Sequence, residues 1–326
     1  MSIDIDTRRP AGHAGGRRRR RPGPPVRRSF LSRLDIHAAP YLFVSPYFVL
    51  FALFGLFPLV FTAWVSLHDW QLAGDKDWVG LANYGELLGD EKFWNATYNT
   101  VGIFFLATVP QLLLALLLAN ALNKRLRFRL ALRLSVLAPI VTSVVAVGVI
   151  FSQLYARDYG LINWVLSLFG MDDPIHWQNA KWSSWIAIAT MVDWRWTGYN
   201  AIIYLAAMQT ISRDIYEAAA LDGASSRRQF WQITVPLLKP TIIFTVIVST
   251  IGGFTLYAEP VIFGGGSVSG GTTGQFQTVA MFIVKEAFRD FEYGYAAAAA
   301  WVLFLLILIA ALINYAITRG LGRSSR

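Results

Sequence analysis

Two groups of residues carry the chemistry this chain has to offer. One is Glu217-Ala218-Ala219-Ala220-Leu221-Asp222-Gly223, followed after a short interval by Ile233 and Pro236. The other is a polar series, Asp193, Arg195, Thr197, Asn200 and Tyr204, set in an otherwise apolar run. Neither has the makings of a covalent reaction. With no cysteine in the chain, thiolate nucleophiles, disulfides and Cys-based metal sites are excluded. The four histidines, His13, His37, His68 and His176, stand at no metal-ligand spacing. No Gly-x-Ser-x-Gly elbow occurs. The glycine run Gly264-Gly265-Gly266 through Gly274 has no lysine after it, so it reads as a flexible external loop and not as a phosphate cradle.

Such residues must be positioned by elements that sit in lipid. Of 326 residues, 55% are hydrophobic and 15% charged, against about 25% charged in a soluble domain. Mean hydropathy is +0.45. The apolar residues fall in blocks, and about 20 of them in a helix rising about 1.5 Å per residue cross a hydrocarbon core about 30 Å thick. The fold class expected is all-α, a polytopic membrane protein with six transmembrane helices. The spans are Tyr41 to Leu67, Thr100 to Leu122, Leu132 to Tyr155, Trp182 to Gln209, Lys239 to Tyr257 and Tyr295 to Ile317. The first is too long for a signal-peptide core and reads as an uncleaved anchor.

Charge sets the orientation. The net charge of +9 is concentrated in arginines near the N-terminus, Arg17 to Arg21 among them. An arginine-rich arm can bind nucleic acid, but an apolar span follows this one directly, so it reads as a disordered tail, residues 1–40, that fixes orientation. Lys124, Arg125, Arg127 and Arg129 lie between spans two and three with no acid, whereas Asp69, Asp75, Asp77, Glu86, Asp90 and Glu91 crowd the loop after span one. The excess of Lys and Arg places both termini, the 211–239 loop and the 319–326 tail on the cytoplasmic side of a cell membrane. Trp64, Trp70, Trp182, Trp185, Tyr295 and Trp301 mark the outer interface. Residues 41–318 form the membrane domain.

Within the 211–239 loop, Asp214 can cap a helix with Glu217 reaching back. Ala218, Ala219, Ala220 and Leu221 favour helix, and Gly223 suits the left-handed residue that ends one. Ser226 and Gln229 repeat the capping pattern; Phe230 and Ile233 give the second helix an apolar face, and Pro236 and Pro240 lead into span five. Two short helices with a bend result, lying outside the bilayer either as a docking element or as a cover for lipid headgroups. In span four, Asp193 and Arg195 sit about 16 to 20 Å deep, where charge is expensive and faces a cavity or a partner. Asp193, Thr197, Asn200 and Tyr204 share one face, with Trp196 at its border. That stripe is either a substrate pocket or polar glue between helices. Gly253 and Tyr257 belong to a short, glycine-interrupted span, which suits either a site or close packing.

The spacing Glu217-Ala218-Ala219, Gly223, Ile233 and Pro236 resembles the membrane subunits of binding-protein-dependent ABC importers, with Val235 where leucine is usual. Asp222-Gly223-Ala224, Phe230, Leu237-Leu238-Lys239-Pro240 and Ala287-Phe288-Arg289-Asp290 leading to Tyr293-Gly294-Tyr295-Ala296 resemble the sugar-importing branch, and within it the maltose-permease F side. The resemblance covers roughly residues 41 to 318. It implies a pore-forming subunit that carries a sugar, a di- or oligosaccharide, into the cell and is not itself an enzyme. It further implies a second, homologous permease subunit, separate ATPase subunits holding ATP and Mg, and an extracytoplasmic sugar-binding protein, with no cofactor on this chain and no nucleic acid. Glu217, Ala218, Ala219, Asp222, Gly223, Ile233 and Pro236 would then couple to the ATPase, and Asp193, Trp196, Thr197, Asn200, Tyr204, Gly253 and Tyr257 would line the substrate path. The alternative is an ion-coupled secondary transporter, which needs inverted repeats and coupling charges of its own. Only span four offers midplane charge, and no repeat is visible.

Overall fold

Why helices dominate follows from where the backbone has to be satisfied: in lipid only intrasegment hydrogen bonds are available. The computed structural model describes residues 30–323 apart from 73, 75 and 125, with side chains over 41–316. The arginine-rich segment 1–29 lies outside the described residues. Of the two compact units, the first is Met1–Pro58. Its helix α1 (Phe30–Phe51) runs into one π-helical turn at Ala52–Leu56. Pro58 follows, and since proline has no N–H for the carbonyl a turn back, the ladder widens there.

The second unit is Leu59–Arg326. Helix α2 (Phe57–Val65) is followed by a two-stranded antiparallel ribbon, β1 (His68–Asp69) and β2 (Asp77–Trp78), with His68 opposite Trp78. Helix α3 (Ala82–Gly89) precedes the long α4 (Glu91–Leu122), which Asp90 caps by accepting the Lys92 N–H at 2.7 Å. Helices α5 (Arg129–Val141) and α6 (Val144–Leu154) meet at 89°. After α7 (Leu161–Ser167) comes α8 (Lys181–Met208). The loop helices are α9 (Arg213–Leu221), α10 (Ser226–Gln229) and α11 (Val235–Leu237), with a second π turn at Phe230–Thr234 just ahead of Pro236. Helices α12 (Lys239–Phe254), α13 (Ala258–Phe263), α14 (Val279–Phe288) and α15 (Tyr293–Arg323) complete the order.

The core is built on the α4–α8 pair, the most extensive helix contact. Ala96, Ala107, Ala115 and Ala119 of α4 and Ala187, Ala189 and Ala201 of α8 are all almost fully buried. Small side chains let two backbones approach closely, which is what drives helix association where no hydrophobic force acts. Helix α15 packs on α12 and α14, α5 on α8, and α13 on α6.

Among the described residues three helical stretches are long and apolar enough to cross a membrane, Tyr41–Val65, Glu91–Leu122 and Tyr293–Ala316; two bent pairs, α5 with α6 and the 226–237 segment with α12, pass together. Expected span three is therefore no continuous rod, because Thr142 is extended and breaks the helix before Ser143. Helix α8 is 28 residues long but too polar to pass. Helix also reaches beyond two expected boundaries. It begins at Phe30, inside the tail assigned to 1–40, and continues to Arg323, past residue 318.

Two further expectations are corrected. The 264–278 loop is tied down rather than free: Asn99 Nδ2 donates to the Gly274 and Gln277 carbonyls at 2.8 and 3.0 Å, and Thr278 Oγ1 to the Leu256 carbonyl at 2.7 Å. Trp185 faces this loop and not lipid. It is 2% exposed and its indole N–H reaches the Gln275 carbonyl at 3.2 Å. A glycine-rich segment reads as mobile when the donors to its carbonyls are unknown; here α4 and α8 supply them.

Candidate functional site

A cavity of about 460 Å³ opens beside the middle of α8, between α4, α12 and α13. From α8 it takes Val192, Trp196, Tyr199 and Asn200, from α4 Phe104, Thr108 and Gln111, and from α12 and α13 Ser249, Gly252, Gly253 and Glu259, with Thr255 and Tyr257 between them. The mixture is aromatic faces with a few amides and hydroxyls, and the size falls in the range of about 300–1,000 Å³ that suits a small ligand. Trp196 and Tyr199 stand edge to face at 5.9 Å between ring centres.

Of the seven residues expected on the substrate path, four line this cavity: Trp196, Asn200, Gly253 and Tyr257. Asp193, Thr197 and Tyr204 do not. Tyr204 is fully buried and shares a 2.6 Å hydrogen bond with Thr245 of α12, which is the interhelical glue of the alternative reading. Asp193 Oδ1 and Thr197 Oγ1 are buried with no hydrogen-bond partner among the described residues. The stripe therefore divides, and only Asn200 of its four members reaches the cavity. Gly253 has a place in both arrangements. It lines the cavity, and a Cβ there would lie 2.5 Å from Phe104 Cδ2, so only a residue without a side chain lets that ring close in.

Glu259 is the charged lining residue the sequence did not point to. Its Oε1 accepts from Arg195 Nη1 at 2.6 Å, with the two side chains 6% and 12% exposed. This pair explains how α8 carries a guanidinium near mid-helix: the partner comes from α13, past the end of the apolar run that defines span five. An intramembrane arginine demands a counter-charge, so an acid just beyond a short span was the available clue.

The second group of residues lies on the loop helices. The cap of α9 is Ser212, which accepts the Asp214 N–H, rather than Asp214; that of α10 is Ser225 rather than Ser226. Gly223 has φ +78°. The Ala224 N–H reaches the Ala219 carbonyl at 2.9 Å and the Gly223 N–H that of Ala220 at 3.0 Å. This paired closure is the Schellman arrangement, and it fixes the bend. Tyr216 and Thr234 share a 2.9 Å hydrogen bond across the bend, while Ile233 is half-buried and Phe230 buried. Glu217, Ala218, Asp222, Gly223 and Pro236 are exposed, Ala219 is half-buried, and Leu221 is 90% exposed. Ile215, Ala218 and Leu221, at i, i+3 and i+6, form an apolar face turned away from the fold. Among the described residues no cluster of His, Asp or Glu is arranged to hold a metal ion.

Comparison with known proteins bears on both regions. Residues 93–323 match the family described as binding-protein-dependent transport system inner membrane component. The chain is 36% identical to the lactose transport system permease protein LacF of Rhizobium radiobacter, over 84% of this chain and 92% of that one. It is 32% identical to the trehalose/maltose transport system permease protein MalF of Thermococcus litoralis, over 82% and 89%. In fold it is similar to a chain of a bacterial ABC transporter involved in import of the acidic polysaccharide alginate, at TM-score 0.72, 21% identity and coverage of 91% and 99%. A second structure, of the alginate transporter in complex with an alginate pentasaccharide-bound periplasmic protein, gives TM-score 0.74 at 20% identity, covering 90% and 98%.

Proposed function

The chain belongs to the family of binding-protein-dependent transport system inner membrane components, and from that premise we propose that it forms half of the pore of an ATP-driven importer that takes a di- or oligosaccharide into the cell. It is a membrane-embedded transport subunit and not an enzyme. Membership of this family removes the ground for the ion-coupled alternative.

The observation that carries the sugar reading is the cavity beside α8. Rings of Trp196, Tyr199 and Tyr257 offer faces on which the apolar side of a pyranose stacks. Asn200, Gln111 and Ser249 offer donors and acceptors to its hydroxyls, and a hydroxyl-matched site rejects analogues that leave those groups unpaired. The relatives named for lactose and for trehalose and maltose support this class of cargo. Six crossings are part of the proposal, supported by the length of α8, about 42 Å at 1.5 Å per residue; a helix largely enclosed by protein tolerates polar residues that lipid would reject. Cytoplasmic termini and a cytoplasmic 211–239 loop are proposed from the Lys and Arg bias.

On this reading α9 is the lever. An ATPase cleft would receive Ile215, Ala218 and Leu221, with Glu217 presented to a basic group and Asp222 and Gly223 at the bend. Ala219, Ile233 and Pro236 complete the set of coupling residues on this reading. Because Tyr216 is bonded to Thr234, displacement of α9 is passed to the start of α12, whose far end forms the cavity wall. ATP and Mg stay on the ATPase subunits, a homologous permease supplies the other half of the pore, and an extracytoplasmic binding protein delivers the sugar. The test is uptake into vesicles holding this chain, its sister, the binding protein and a panel of sugars, with and without the ATPase. ATP-dependent accumulation of a glycoside is expected; accumulation against a gradient without the ATPase would overturn the mechanism.

A further inference from the structure

Where α4 and α8 end and α5 begins lies a second cavity, about 550 Å³ in volume, separate from the one beside α8. Four cations line it, Lys124, Arg129, Arg133 and Arg213, and no carboxylate does. Among the described residues none of the four is within ion-pair distance of an acid. Arg133 Nε is buried and has no acceptor. Like charges gathered around one hollow repel, and a buried guanidinium N–H aimed at nothing is unfavourable. Both conditions are relieved by an anion.

The backbone dipoles do not supply that anion. The carboxyl ends of α4 and α8, near Asn123 and Gln209, contribute about half a negative charge each, and the start of α5 about half a positive one. Four full positive charges outweigh them. The start of α5 also lacks a side-chain cap: Phe128 precedes it at φ 59° and its side chain has no acceptor, and Arg129, its first residue, lines the cavity. Free N–H groups at a helix start add to the attraction for an oxyanion. Nor is the cavity the docking face. Arg213 and Tyr216, three apart on α9, look into it, whereas Ile215, Ala218 and Leu221 look outward.

We propose that this cavity binds a phosphate-bearing anion, either the headgroup of an acidic phospholipid in the adjoining leaflet or free phosphate. Guanidinium groups pair with phosphate oxygens through two parallel N–H donors, and three arginines around one volume suit a dianionic or bridging ligand. Bound there, the anion would tie the start of α5 to the α8–α9 junction.

The experiment uses the assembled complex of this chain with its sister permease and ATPase. In one arm, nanodiscs with and without phosphatidylglycerol are compared, and native mass spectrometry counts acidic lipid retained per complex. In the other, inorganic phosphate is titrated into the complex in purely zwitterionic lipid while thermal stability is followed. Lipid retained by wild type and lost roughly tenfold or more in Arg129→Gln/Arg133→Gln supports the headgroup; phosphate stabilisation lost in that variant supports the free anion. Arg129→Lys/Arg133→Lys keeps the charge and should keep most of the binding. Should the glutamine pair not assemble, Arg213→Gln, exposed on α9, carries the same comparison. Equal binding by wild type and the glutamine variants in both arms overturns the proposal. Neither readout requires transport, so a failed uptake assay leaves it untouched.

Discussion

In α9 the side chains offered to a partner point away from the fold; in α8 those offered to the cavity point into it. The two helices are held by correspondingly different forces. Among the described residues the constraints on α9 are local: the Ser212 cap, the left-handed Gly223, the Ala224 to Ala219 closure, and a tether from Tyr216 to Thr234. Helix α8 is constrained from far along the chain, by Thr245, Glu259 and Gln275. Damage to the first should therefore uncouple without unfolding, and damage to the second should unfold as well as impair.

The largest effect expected on the α9 side is from Gly223→Pro. Proline requires φ near −65° where the bend has φ +78°, and the closing N–H is lost with it. Uptake should fall to background while subunit abundance in the membrane stays near wild type and ATPase co-purification drops. Full uptake in this variant would break the comparison at its strongest point.

The α8 side is probed next by Arg195→Ala, which strands Glu259 in the wall. Removing one partner of a buried pair costs about 3–5 kcal/mol, while replacing both by apolar residues is often neutral. Arg195→Ala should thus lower the thermal stability of the complex markedly, and Arg195→Met/Glu259→Leu should recover most of it. Equal loss in the single and double variants would mean that the ion pair is not what holds α13 to α8.

Gly253→Ala should cost about 1–3 kcal/mol by overpacking, since its methyl group meets Phe104 at 2.5 Å. Phe104→Leu in the same chain should restore stability. A smaller change still is expected from Asn200→Ala: the half-saturating sugar concentration rises several-fold, as the loss of one hydrogen bond of about 0.5–1.5 kcal/mol implies, with assembly intact. An unchanged sugar dependence would remove Asn200 from the path and leave α8 a purely structural helix.

The least effect belongs to the rim outside both helices. Burial pushes the Glu292 carboxyl above its ordinary range, and Asp69, Glu286 and Glu86 push it further, while a hydrogen bond from Gln71 opposes them. A carboxyl raised on folding favours the protonated form, so stability declines as pH rises from the unfolded value through the folded one. Glu292→Gln should accordingly raise the melting temperature slightly at pH 8 and leave it unchanged at pH 4, a baseline against which the α8 and α9 variants are read.

The same contrast explains what could be read from sequence. Residues Glu217 to Pro236 announce a bent helical loop because caps, alanines and Gly223 act within a few positions of one another; only the cap residues moved, by one or two places. The cavity beside α8 depends on which helices meet. Trp196 and Asn200 were accessible as polar or aromatic residues at depth, but Phe104, Gln111 and Glu259 acquire their meaning from α4 and α13 being brought alongside. Tyr204 lies on the same helical stripe as Asn200, yet Thr245 claims its hydroxyl. The bend in span three is not legible because periodicity does not register a break of two residues, Thr142 and Ser143, inside an apolar run.

Helix α8 also has a history that its finished packing conceals. As a free segment it is too polar to partition into lipid, with Asp193 and Arg195 each costing about 2.5–3.5 kcal/mol near the centre. The ribosome delivers α4, its main companion, beforehand, but Glu259 is made 64 residues after Arg195. If α8 is one of the six crossings proposed above, then at about 5–20 residues per second its arginine waits roughly 3–13 s for Glu259 to be made. Integration of this helix is thus a joint act with its neighbours, and the order of synthesis sets when it can be completed.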